Sequence, residues 1–443
     1  MKLKKSGQIF LALAVSLGLS FGLTSCVNDY TVAYLYVTGS YQNQIGAFKI
    51  SNNTGNLTTI PGSPFGSGGT NPIREVVSTS GRYLYILNAG TASAPGANGN
   101  FTYKSTNITV YSVGGNGVLA PQQTYTSQGY GSIRMALSVS GGYLYVLDEY
   151  APAAGKDSSG NPLIASKTLE PGLTCQDSSG IYHPVGDVTV FSVDSNTGRL
   201  SLVTNSQLQT PTGAQLTYFP VGCEPIDLKV TGGYVYTADT SDPVTGNRYT
   251  VFPYAINSSS GQLTTTQNTE FVTGAASISA IGSDAATKYI YILDPVNNEI
   301  WYYTVGSQGL LQAVTTSPTS NSATSAGNPI ELTSDSKSQF LYIANAGPTS
   351  GISKPNSDIT AYSIASNGAL APTAPGEFGT GSSPRCILED PSNQYIYTAD
   401  FDSNTVTGHV LDPNSGVLTN MRNQSTYPTV GNPTWCVADS HTD

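Results

Sequence analysis

Charge is scarce in this chain of 443 residues: 10% are Asp, Glu, Lys or Arg, and 28 acidic residues outnumber 18 basic ones. A net charge of −10 argues against a nucleic-acid partner, whose phosphates demand a basic surface. It argues equally against electrostatic docking on anionic lipid. Histidine is scarcer still, at His183, His409 and His441 only, which leaves a Ser–His–Asp arrangement little to draw on. No Cys-x-x-Cys occurs, so no zinc-site spacing is present and no metal is implied. Glycine-rich stretches such as Gly114-Gly115-Asn116-Gly117 are hairpin turns and not phosphate loops, because no helix follows; no cofactor is implied. The one long apolar run, Ile9 to Leu23, is too short and wrongly flanked for a spanning helix. What abounds is Tyr, Thr, Ser, Asn and Gly, a composition that suits strands and turns and gives helices little support.

Lys2, Lys4 and Lys5 precede that apolar run, and small residues follow it, the pattern of a secretory signal over residues 1–25. Leu23-Thr24-Ser25-Cys26 resembles the bacterial lipobox, which implies lipidation of Cys26 and a short tether over 26–31. Val27 after the cysteine, where an inner-membrane retention signal has Asp, implies the outer membrane. The acyl chain is then the only contact with the membrane. Loss of the leader removes three lysines and moves the net charge to −13. Four cysteines remain, an even number in an exported chain, and three pairings are open. Cys175–Cys223 and Cys386–Cys436 are the pairs expected.

Seven times an aromatic-x-aromatic strand recurs behind a hairpin turn: at Tyr34, Tyr83, Tyr143, Tyr234, Tyr289, Phe340 and Tyr395, each followed two residues later by tyrosine. Aligned on that pair, the sixth unit reads as strands over 328–335, 340–345 and 358–364, with a fourth after Gly368-Ala369-Leu370. Turns such as Asn196-Thr197-Gly198 and Asn414-Ser415-Gly416 supply positive φ before the fourth strand. The fold class expected is all-β: a seven-bladed β-propeller of four-stranded blades over residues 32–440, with 441–443 a tail. The first unit lacks an inner strand and the chain ends on one, Asn432 to Asp439, so the C-terminal strand is expected to complete blade one and close the ring. A single closed domain of this kind is expected to be a monomer.

Long insertions occupy 89–107, 149–187, 240–248 and 346–357, always between second and third strands, and so emerge on one face of the disc. That face is the expected binding side. Two positions per blade are expected to reach the channel mouth there. The first carries Arg74, Arg134, Asp227, Ala280, Glu331, Cys386 and Trp435; its preceding neighbours are mostly isoleucine, with Arg385 the exception. The second, ending the second strand, includes Asp239, Asn345 and Asp400, residue types that also cap turns. Asp400-Phe401-Asp402-Ser403-Asn404 lacks the central glycine and terminal glutamate of a calcium loop.

The recurring order of Pro, Asp-Pro, Tyr-x-Tyr and Gly-x-Leu, clearest in Ser383-Pro384-Arg385-Cys386 leading to Asp390-Pro391 and in Gly431-Asn432-Pro433-Thr434-Trp435, resembles the seven-bladed propeller lactonase family. That family includes 6-phosphogluconolactonases and muconate-lactonising cycloisomerases. The resemblance implies that Arg385 binds an anionic or carboxylate substrate, and that Cys386 stands where members often have histidine. Lactone hydrolysis needs a water activator and an oxyanion stabiliser, for which Glu331 or Asp227 with Arg385, Arg134 or Arg74 are the candidates. The expected function is a cell-envelope propeller that binds a small molecule (a lactone or sugar acid) or a protein on the long-loop face, without the family chemistry. The alternative is an extracytoplasmic lactone hydrolase with a carboxylate–arginine mouth.

Overall fold

Each aromatic pair sits on the second strand of a blade, where both faces press against neighbouring blades, so the strand is apolar throughout rather than alternating. Tyr289–Asp294 and Tyr395–Asp400 are buried at every residue. The computed structural model describes residues 30–91, 106–156, 162–164, 185–209, 213–240, 249–266, 271–321, 326–348 and 357–440. The expected signal peptide, Cys26, Cys175, His183 and His441 lie outside the described residues.

Blade six shows the unit plainly. Pro329–Ser334, Phe340–Asn345, Asp358–Ile364 and Leu370–Gly379 pair in that order, each antiparallel to the next. Seven such sheets are present, and blades one, three, four, five and seven divide the outer strand into two short pieces. In blade one, Pro433–Asp439 pairs with Thr31–Gly39, placing Val437 opposite Tyr36 and Trp435 opposite Thr38. The C-terminal strand thus supplies the inner strand that the N-terminal segment lacks. The other inner strands are Pro72–Val77, Tyr130–Leu137, Pro225–Thr231, Ala280–Ser283, Pro329–Ser334 and Pro384–Glu389, and each touches the next around a closed ring.

The repeat has a physical purpose beyond burial. The second tyrosine of a pair donates its hydroxyl to a glycine carbonyl in the next blade: Tyr36 to Gly117 (2.9 Å), Tyr85 to Gly198 (3.1 Å), Tyr145 to Gly261 (3.3 Å) and Tyr236 to Gly309 (2.8 Å). Tyr342 reaches Gly416 (3.1 Å), and Tyr397 crosses the closure to Gly55 (2.5 Å). These glycines, with Gly368 in blade six, hold φ between +66° and +85°, where a side chain is strained. A Cβ on any of the seven would also lie 2.3–2.7 Å from a side-chain atom of the preceding blade, a ring carbon of its first aromatic residue in every case. Tyrosine pair and turn glycine therefore form one inter-blade staple. In the step from blade five to six the staple is incomplete, because the buried Tyr291 hydroxyl has no hydrogen-bond partner.

Candidate functional site

The inner strands enter from the insertion-bearing face, and a register irregularity aims their first side chains. In blades two, four, six and seven the proline pairs with the last residue of the second strand (in blade four the last but one), and the residue after it is skipped: Pro72 faces Asn88, but Arg74 faces Leu87. The extra residue bulges. Of the isoleucines at or equivalent to the bulge, Ile73, Ile133 and Ile226 pack against the cores between blades. The residue beyond is turned toward the channel.

Four of these residues converge. The Arg74 guanidinium lies 3.9 Å from a Glu331 carboxylate oxygen, a contact between blades two and six that crosses the channel. The Arg134 Nε donates to Asp227 Oδ1 of the adjacent blade, and Arg134 Nη1 also donates to the Ile133 carbonyl at 3.0 Å. Asp227 is fixed further by the backbone N–H groups of Leu228 and Ile281, both at 2.9 Å. Trp435 lies beneath the Arg74 guanidinium, 3.6 Å from the ring centroid, a cation–π stack that orients the arginine. Burial pushes the Glu331 carboxyl up to about 7, opposed by Arg74 and reinforced by the negative charge of Asp227. Burial also lowers the Arg74 pKa, as does the neighbouring Arg134 charge.

The remaining candidates lie elsewhere. Arg385 occupies the bulge of blade seven, is exposed, and stands over the Phe401 ring at 5.3 Å, apart from the charged cluster. Cys386 follows it, is 1% exposed, and is joined by a disulfide to Cys436 across the ring closure, with the two Cα atoms 5.8 Å apart. Cys223 is also disulfide-bonded. Of Trp435, Asp239, Asn345 and Asp400, all expected at the mouth, only Trp435 lies with the cluster. Asp239, Asn345 and Asp400 are buried inside their blades: Asn345 donates to Asp358 (2.7 Å), and Asp400 accepts from Thr398 (2.8 Å) and Thr407 (2.7 Å). Their side chains are held by hydrogen bonds within the blade and not by the channel. His409 is buried in the third strand of blade seven against the Gly379 carbonyl, and burial lowers its pKa. Among the described residues no group of three or more His, Cys, Asp or Glu could hold a metal ion.

One channel residue escaped the sequence reading. Lys229, two residues beyond Asp227, is half-buried and senses the charges of both Asp227 and Glu331. Alternation along the inner strand puts its side chain on the same face as that of Asp227, toward the channel. Burial lowers its pKa. The signal was available in the aligned repeat: at this register the other blades carry Val76, Ala136, Gly282, Thr333, Leu388 and Val437, all uncharged.

Comparison with known proteins agrees with this architecture. Residues 250–438 match the family model described as lactonase, 7-bladed beta-propeller. No curated protein matches the chain by sequence. Among solved structures, the periplasmic gluconolactonase of Pseudomonas aeruginosa is similar with a TM-score of 0.62 at 14% identity, covering 92% of this chain and 99% of its own. A candidate 6-phosphogluconolactonase from Bacteroides fragilis gives a TM-score of 0.62 at 13% identity, covering 94% of this chain and 99% of its own. A second such protein, from Bacteroides uniformis, gives 0.58 at 13% identity, covering 92% and 99%. At these identities the structural likeness establishes the fold alone. The chain is a seven-bladed β-propeller whose residues 250–438 carry the lactonase-family signature, as the resemblance in its repeat implied.

Proposed function

We propose that this protein is an exported, lipid-anchored propeller of the cell envelope that binds a small polar ligand, a lactone or sugar acid, at the insertion-bearing mouth of its channel, without hydrolysing it. The observation that carries the reading is Cys386. At the inner-strand position where the family resemblance leads one to expect histidine, the chain has a buried cysteine committed to a disulfide with Cys436. A disulfide sulfur neither accepts nor returns a proton at neutral pH. The binding surface that remains is the pair of salt bridges Arg74–Glu331 and Arg134–Asp227, with Trp435 as an apolar platform. Export is supported by the leader and by the disulfide, which persists only in an oxidising compartment.

Glu331 favours a second reading. A carboxyl held near 7 beside a guanidinium is suited to activate water, with Arg74 or Arg134 facing the developing oxyanion. A lactone panel separates the two. The soluble propeller beginning after Cys26 is expected to bind members of the panel by calorimetry and to release no acid in a pH-stat. Turnover that disappears in Glu331→Gln would overturn the binding-only reading and establish the hydrolase.

A further inference from the structure

The charges in the channel do not balance. Arg74 is matched by Glu331 and Arg134 by Asp227, whereas Lys229 makes no hydrogen bond or ion pair among the described residues. Three cations thus face two carboxylates, in a protein that is strongly acidic as a whole. At its own register the other six inner strands present Val76, Ala136, Gly282, Thr333, Leu388 and Val437, none of them charged, and the two carboxylates whose charges it senses, Asp227 and Glu331, are already paired with arginines. An ammonium group held half out of water without a partner costs free energy that an anionic ligand recovers.

Resting on the channel-binding reading above, we propose that Lys229 is the residue that selects the ligand's charge, and that the preferred ligand is an open-chain sugar acid rather than a neutral lactone. The carboxylate passes the two ion pairs and docks on Lys229. The hydroxylated remainder lies across the guanidinium groups and the Trp435 ring at the mouth. A neutral lactone offers Lys229 no charge and leaves the ammonium unpaired, so the difference in affinity falls on this single contact. Charge-assisted hydrogen bonds are about twice as strong as neutral ones, which makes at least a tenfold preference the expected size.

The test compares sodium gluconate with gluconamide, its uncharged isostere, by calorimetry on the soluble propeller at low and high salt. Wild type is expected to bind gluconate at least tenfold more tightly, and the preference should shrink as salt rises. Lys229→Met is expected to abolish the preference, bringing gluconate affinity down to that of gluconamide, and Lys229→Arg to retain it. Because Lys229 has no partner to lose, the Met variant should unfold at or above the wild-type midpoint, so a lost preference will not be due to misfolding. Equal affinity for acid and amide in wild type, or an undiminished preference in Lys229→Met, would overturn the inference and leave channel binding standing. Failure of both compounds to bind would overturn both.

Discussion

Replacing the second tyrosine of a pair by phenylalanine separates the hydrogen bond in the staple from the burial of the ring. Tyr36, Tyr236 and Tyr291 are each 0% exposed, so the substitution removes the same hydroxyl from the same degree of burial. Their hydroxyls differ only in partners: Gly117 for Tyr36, Gly309 for Tyr236, none for Tyr291. Tyr36→Phe and Tyr236→Phe each delete one bond and strand a glycine carbonyl between blades, a cost of about 1 kcal/mol that rises toward about 3 kcal/mol if water cannot reach the carbonyl. Tyr291→Phe removes a buried group that lacks a partner, and is expected to be neutral or stabilising by about 1 kcal/mol. Urea unfolding followed by intrinsic fluorescence reads the difference directly, with the slope checked for constancy. Equal destabilisation by all three substitutions would refute the claim that the tyrosine hydroxyls, and not merely their rings, join the blades.

Stability should fall between about pH 4.5 and pH 7, contrary to the behaviour of a protein held by surface ion pairs. Burial raises Glu331 and Glu389 to about 7 and Asp148 and Asp400 to about 6. A carboxyl raised in the folded state contributes stability below its unfolded pKa and loses it as pH rises through the folded value. Glu331→Gln should flatten part of that decline in thermal unfolding scans, by about 1–3 kcal/mol over the interval; an unchanged slope would place the titration elsewhere. The disulfide closes a segment of 50 residues across the join between blades seven and one. The Cys386→Ala/Cys436→Ala double variant should lose about 4 kcal/mol on the chain-entropy estimate. A loss well under 1 kcal/mol would mean that the C-terminal strand holds the closure unaided.

The sequence made the scaffold legible because it states the same local solution seven times. Aromatic-x-aromatic, a turn glycine and a proline-led inner strand are local patterns, and their recurrence compensates for the weakness of any one of them. Closure by the 433–439 strand could be read from what the first and last units lacked. The site was less legible, because it depends on distances between blades. Arg74 and Glu331 are 257 positions apart and meet only because the ring sets blade two across from blade six. Asp400 and Asn345 looked like mouth residues because their type and position allow it, yet Thr407 and Thr360 on the adjoining third strands hold them inside the blade. Lys229 is not legible from the first channel-facing position alone, because alternation along the strand brings the next such position two residues on.

A symmetric ring becomes a directional site only through its departures from symmetry, and here these are distributed unevenly. At the first channel-facing position, blades two and three supply guanidinium groups, blades four and six carboxylates, and blade one an indole. Blades five and seven supply Ala280 and Cys386, which are 0% and 1% exposed and extend nothing into the channel. The charged side chains at this level therefore all come from blades two, three, four and six, and blades five and seven contribute none. On the proposed reading, a ligand at the mouth would meet the ion pairs of blades two, three, four and six, with Lys229 two residues further along its strand. On that reading the disulfide takes the Cys386 position out of proton transfer, and the uneven charges of the mouth are what remains for binding.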